Sequence, residues 1–267
     1  MQTTAVPNTL YPNLDHHVQE IIEQGYTVVP NVLSSDEVRE INEIIDAIFD
    51  KEKTIADERN WHNATFRVAY MLPQKHPLFR TLPFNPRVLP LMQAVLGNRC
   101  ILSSLNALTM SPGGITQKLH RDHGDPTPGV TMTINALQTL DAFTRENGAT
   151  RVIPGTHNDL ATPPKDTSNW ESRTVTLEAP AGSLIAFNGA LFHAGSANTT
   201  TNLRRCLHAY YARAWVRPQW DYPASLTSDV AETLTVEQKK LFGYYPPSQR
   251  YDVSTDRVIF PRPPGDR

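Results

Sequence analysis

What the chain lacks narrows what it can be. Only two cysteines occur in 267 residues, Cys100 and Cys206, each inside an apolar run. A disulfide framework is therefore not expected, and both should be buried free thiols. No apolar stretch is long enough to span a bilayer, and no charged-then-apolar leader opens the chain. The expectation is a cytoplasmic protein with no membrane partner. Neither sign of charge dominates: 25 Lys and Arg stand against 27 Asp and Glu, for a formal net charge of -2, and the two signs are interspersed. That balance argues against nucleic acid or an acidic surface as a partner. Internal repeats and low-complexity tracts are absent too.

What remains is long for one unit but within the range of all-β domains, so residues 1–267 are expected to form a single domain. Residues 1–13 are polar and proline-containing, which suggests a loosely held arm. Val18, Ile21 and Ile22 recur at helical spacing until Gly25, and a short strand, Tyr26 to Pro30, follows. Ser34 and Glu37 form a capping box that opens a second helix with a buried stripe of Val38, Ile41, Ile45 and Ile48. Asn60 to Leu82 holds Trp61, His62, Phe66, Arg67, Tyr70 and Met71 with no sustained period, and fits either a strand pair or a loop over a pocket mouth. Pro86 to Leu96 is expected to be a helix stopped by Gly97.

After Asn98 the pattern changes to short β-type runs parted by turn residues: Cys100 to Met110, Val130 to Leu140, Gly148 to Ile153, Arg173 to Leu177, Ser183 to Phe187 and Leu203 to Trp215. Long alternating helices, which a parallel sheet would need, are missing here. The expected fold is mainly β with flanking helices, a double-stranded β-helix or cupin-like jelly roll. The link from Asn158 to Trp170, with Pro163 and Pro164, is either a solvated connection or a lid. Beyond Arg217 lies a proline- and tyrosine-rich extension with one short helix, Thr235 to Phe242, capped by Gln238. It could wrap the barrel, cover the pocket or meet a second copy in a homodimer.

Chemistry concentrates at Gln117-Lys118-Leu119-His120-Arg121-Asp122, just after a turn at Pro112-Gly113-Gly114. On an extended segment His120 and Asp122 would point the same way, and a third ligand is offered by His193, which leaves a short apolar run through small residues. Two imidazoles and one carboxylate form the facial triad of a non-haem ferrous site. The triad should sit inside one end of the barrel, its two halves delivered from opposing strands. Arg204 opens the apolar and aromatic run Leu203 to Tyr211. A guanidinium there is costly unless it meets an anion, and its fork suits a carboxylate.

His120-x-Asp122, the distant His193, Arg204 after it and the phrase Glu146-Asn147-Gly148-Ala149-Thr150 together resemble the phytanoyl-CoA dioxygenase family of iron(II)- and 2-oxoglutarate-dependent oxygenases. Gln117, three residues before His120, is similar to the branch of that family that tailors natural products. The resemblance spans Leu14 to Arg217. It implies iron(II) on His120, Asp122 and His193, with 2-oxoglutarate touching Gln117 and Thr150 and its distal carboxylate on Arg204. It further implies a small-molecule substrate oxidised with O2 by hydroxylation, desaturation or ring formation. Halogenation is disfavoured, since halogenating relatives replace the carboxylate ligand.

Neighbouring titratable groups have plainer readings. His123 should face away from Asp122, and Asp125 offers an alternative carboxylate if the chain folds back at Gly124. His157 suits a structural role at a turn. His208 shares a strand face with Arg204 and is either near the pocket or a satisfied core histidine, while Arg205 should point outward. Two other classes stay open: a cupin-like metalloenzyme working without 2-oxoglutarate, and a non-catalytic jelly-roll binding protein.

Overall fold

The computed structural model describes residues 11, 13–59, 65–124, 126–160, 168–245 and 250–260. The chain opens with helix α1 (Leu14–Glu23), strand β1 (Tyr26–Val29) and helix α2 (Ser35–Arg59). Gly25 makes the sharp turn from α1 into β1 at φ 91, and a Cβ there would come within 2.6 Å of His157 Nδ1. The capping box forms as expected: Ser34 N–H donates to Glu37 Oε2 at 2.7 Å, and Glu37 N–H donates to Ser34 Oγ at 3.3 Å. Helix α2 buries Ile41, Ile45, Ile48 and Phe49, while Val38 is half-buried. Two expectations for the N-terminus need correcting. Ile22 is 51% exposed rather than part of the α1 stripe, and Tyr11, assigned to a loose arm, is docked in the core at 2% exposure.

The ambiguous stretch from Asn60 resolves into one strand, β2 (Phe66–Ala69), followed by short helices α3 (Leu72–Lys75) and α4 (Leu78–Thr81); Trp61 and His62 lie outside the described residues. Helix α5 (Leu89–Leu96) begins later than Pro86, because Asn85 first caps a turn: its carbonyl accepts from Val88 and Leu89 N–H. Then come β3 (Ile101–Met110), β4 (Thr133–Thr139), β5 (Thr150–Val152), α6 (Ser168–Glu171), β6 (Val175–Thr176), β7 (Leu184–Asn188), β8 (His193–Gly195) and β9 (Arg204–Ala212). The C-terminal part adds α7 (Tyr222–Ser225), α8 (Ser228–Thr233), α9 (Val236–Leu241) and a hairpin of β10 (Arg250–Asp252) and β11 (Arg257–Ile259).

Six strands make one antiparallel sheet in the order β1-β7-β4-β9-β3-β2, and three make a second in the order β6-β5-β8. Strand alternation assigns the two faces of the large sheet. Ile134, Ala136, Leu184, Ala186, Leu207, Ala209 and Tyr211 join the helices in one buried cluster, which also takes in Tyr222, Val230, Leu241 and Phe242. Leu137, Ile185, Phe187 and Cys206 face the other way and pack with Val152 of the small sheet and Ala149 just before β5. Two facing antiparallel sheets with helices outside are the jelly roll expected. Both faces of the large sheet are thus covered, so its polar alternates, Asn135 and Thr133 among them, look into the barrel rather than to solvent. The C-terminal helices wrap the helical side of that sheet, one of the three places considered for them. Among the described residues, no helix is long and apolar enough to cross a membrane.

Candidate metal centre

His120 and His193 meet as an antiparallel bridge. Each donates its N–H to the other's carbonyl, both at 3.0 Å, which extends the small sheet by one more strand segment. Directly opposed residues project side by side, and the two rings lie 4.4 Å apart between centroids. The histidines therefore come from two directly opposed segments of one sheet, His193 from β8 and His120 from the stretch paired with it. Asp122 does not sit on a regular strand. It lies on a bend just past the bridge, tied down by its N–H to Gly189 O at 3.0 Å, with His123 N–H on the same carbonyl at 2.8 Å. The bend still turns the carboxylate inward: Asp122 Oδ1 is 3.5 Å from His120 Nε2, and Oδ2 is 3.5 Å from His193 Nε2. One potential ligand atom from each of the three lies within 4.8 Å of the other two.

Both imidazoles are oriented in the same way. His120 Nδ1 is 2.9 Å from Lys118 O and His193 Nδ1 is 3.0 Å from Leu191 O, so each Nδ1 carries the proton and each Nε2 offers its lone pair. Burial works against the Asp122 carboxylate. In the absence of metal, Nε2–H groups of His120 and His193, present when the rings are protonated, outweigh it and hold the group far below the usual carboxylate range. Hydrogen bonding to Asp122 raises His120, with burial opposing.

The three groups open onto a cavity of about 230 Å³. Its wall includes Gln117, Thr150 and Arg204, and apolar side chains of the large sheet, among them Phe66, Leu108, Leu137 and Phe187. Every residue expected at the site thus lines one space. Arg204 is 5% exposed, with Phe143 under its guanidinium at 4.7 Å, and its Nε has no hydrogen-bond partner among the described residues. Burial lowers its pKa. Gln117 Oε1 accepts the Gly195 N–H at 2.9 Å. The outward assignment of Arg205 holds, because it pairs with both oxygens of Asp141 at 3.0 Å.

The phytanoyl-CoA dioxygenase family model matches residues 21–206. The chain belongs to that family. It is a non-haem dioxygenase that works with iron(II) and 2-oxoglutarate. Dioxygenase af480 of Aspergillus fumigatus is 30% identical over 240 residues, covering 86% of this chain and 77% of the relative. Among solved structures, the non-haem α-ketoglutarate-dependent carbocyclase SnoK from nogalamycin biosynthesis is similar with a TM-score of 0.64 and 20% identity, covering 79% of this chain and 90% of its own. HygX from Streptomyces hygroscopicus, with nickel, 2-oxoglutarate and hygromycin B bound, is similar at 0.63 and 16% identity, covering 77% and 89%. At those identities the two structures speak to the fold.

The residues of this dioxygenase fit both groups the family uses. Two neutral imidazole Nε2 atoms and a charged carboxylate on one side of a cavity are the donor set of a ferrous centre with open positions. A buried guanidinium with an unanswered N–H in the same cavity fits a carboxylate. Sequence reasoning passed over one residue here, Asn135, and its link to His208. Asn135 donates Nδ2–H to Asp122 Oδ2 at 2.9 Å, and His208 Nε2 lies 2.5 Å from Asn135 Oδ1. His208 does line the cavity, as one reading of its strand face anticipated, and burial pushes it down to about 4. His157 is structural, with Nε2 on Ile22 O at 3.0 Å holding the end of α1. Asp125 lies outside the described residues, as does most of the link from Asn158 to Trp170.

Proposed function

We propose that this dioxygenase oxidises a small, largely apolar organic molecule, a secondary metabolite, by hydroxylation or by the desaturation or ring closure that can follow the same first hydrogen abstraction. The observation that carries the reading is Arg204, a buried guanidinium with an unanswered donor in the cavity onto which His120, Asp122 and His193 open. The metabolite class is supported by SnoK and HygX, one from nogalamycin biosynthesis and the other bound to hygromycin B.

In this reading His120, Asp122 and His193 hold the iron through Nε2, a carboxylate oxygen and Nε2. Arg204 takes the distal carboxylate of 2-oxoglutarate, so the desolvation of its guanidinium is offset only once the co-substrate is in place. Gln117 has its Oε1 engaged by Gly195 and keeps its Nε2–H donors for the same ligand, and the Thr150 hydroxyl lies along that wall. Bound iron and 2-oxoglutarate supply an oxidant able to take hydrogen from an unactivated carbon, with succinate and carbon dioxide as co-products. Phe66, Leu108 and Leu137 keep water from the reacting carbon and give an apolar substrate a surface to lie on.

The test is iron-dependent conversion of 2-oxoglutarate to succinate under O2. Asp122→Ala should abolish it and weaken iron binding. Arg204→Ala should raise the 2-oxoglutarate concentration for half-maximal turnover by roughly 10–100-fold, consistent with losing ~1.5–3 kcal/mol of charged hydrogen bonding, and leave iron affinity intact. An Arg204→Ala protein with unchanged co-substrate dependence would remove 2-oxoglutarate from that end of the cavity.

A further inference from the structure

We propose that Asn135, oriented by His208, is the positioning residue that fixes the Asp122 carboxylate for metal binding. The proposal rests on the reading of His120, Asp122 and His193 as the ligand set, and adds two residues to it.

The need for such a device follows from where Asp122 sits. The two histidines stand on paired backbone and each has its ring locked by a carbonyl two residues upstream. Asp122 stands on a bend, its backbone anchored by a single N–H to Gly189 O. A carboxylate there is free to turn about its own side-chain bonds unless something holds it, and metal affinity depends on ligands being held before the metal arrives. Asn135 is the group that reaches it. It is fully buried, at 0% exposure, in the middle of β4, with strands on both sides in the six-stranded sheet.

A primary amide has two ends, and only one serves. The NH2 donates to a carboxylate, whereas the amide oxygen would repel it. What decides between them is the amide's other partner. His208, on β9 diagonally across from Asn135, places Nε2 2.5 Å from Asn135 Oδ1. An amide oxygen can only accept, so the imidazole carries its proton on Nε2, and the Asn135 NH2 is left pointing at Asp122 Oδ2. The low pKa of the enclosed His208 agrees with a neutral ring holding a single proton. A neutral amide also leaves on the carboxylate the negative charge that a divalent cation requires, which a Lys or Arg in its place would cancel. The chain from His208 through Asn135 to Asp122 thus ties the least regular ligand to the two central strands of the barrel.

The test uses the full-length protein and Co(II) alone, without 2-oxoglutarate, with affinity read by titration and coordination read from the visible ligand-field spectrum. Asn135→Ala and His208→Leu should each weaken Co(II) binding by roughly 10–100-fold and alter the spectrum. His208→Gln, which can present an N–H to Asn135, should return most of the affinity. Thermal unfolding of the metal-free variants separates misfolding from mispositioning, and the His208→Leu and His208→Gln pair decides the matter if Asn135→Ala does not fold. Wild-type affinity and spectrum in Asn135→Ala, or equal loss in both His208 variants, would overturn the proposal. Wild-type affinity in Asp122→Ala would instead overturn the ligand assignment beneath it.

Discussion

On the proposed reading, Arg204 is a residue that costs stability in return for holding the co-substrate. Its guanidinium is buried against Phe143 with an unanswered Nε, and a charge without an adequate partner in such a place costs free energy that a packed apolar side chain would not. Arg204→Met should therefore stabilise the protein free of 2-oxoglutarate by on the order of 1–4 kcal/mol, while abolishing the rise in unfolding temperature that 2-oxoglutarate gives the iron-loaded wild type. A calorimetric scan with and without co-substrate reads both effects; a less stable Arg204→Met protein would mean that the buried guanidinium is already satisfied. This residue was legible beforehand because a guanidinium on the inward alternation of an apolar, aromatic run contradicts its surroundings. Asn135 was not, since a polar residue alternating with apolar ones is the ordinary mark of a solvent-facing strand. Only the second sheet and the helices, by covering both faces of β4, turn its polar alternates inward.

Among the elements, the turn between β7 and β8 carries more of the site than its length suggests. Gly189 sits in that turn and its carbonyl takes N–H groups from both Asp122 and His123. A Cβ on Gly189 would lie 2.2 Å from Thr133 Oγ1 and 2.7 Å from Tyr210 OH, two groups hydrogen-bonded to each other inside the barrel. Gly189→Ala must displace either that pair or the turn, and moving the turn moves Asp122. Co(II) affinity should fall about 10-fold or more, as it does when a ligand's support is lost, and adding Thr133→Ala should recover part of the loss by freeing the space. Strictly additive losses in the double variant would show that the crowding is not the cause. Regular elements such as α1, α2 and β4 were readable because a period of 3.6 or 2 repeats several times within them. Strand β8 was not distinguished because it spans only His193–Gly195, too short for any period, and its pairing is set by partners far away in sequence. The hairpin of β10 and β11 and the short helices α7 and α8 escaped for the same reason, in a stretch where proline and tyrosine obscure the pattern.

For the whole molecule, the question is whether the C-terminal extension is an appendage or part of the unit that presents the metal centre. Its helices contribute Tyr222, Val230, Leu241 and Phe242 to the same buried cluster as Ile41 of α2, Leu91 of α5 and Tyr211 of β9. Phe242 is 1% exposed, and its ring is stacked on Tyr222 at 5.1 Å. On the opposite face of the same sheet, Arg204, Cys206 and His208 line the cavity. We therefore expect the chain to unfold as one domain. Loss of packing on the helical side should lower the stability of the metal site without touching a ligand. Phe242→Ala should cost about 3–5 kcal/mol and lower the unfolding midpoint by roughly 10 °C, in a single transition in which loss of the Co(II) spectrum and of helical signal coincide. The affinity for Co(II) at 25 °C should be nearly unchanged, because the strands that carry the site remain folded there. Two separate transitions, with the helical signal lost before the cobalt spectrum, would mean that residues beyond Arg217 form a unit of their own and that the barrel holds its metal centre without them.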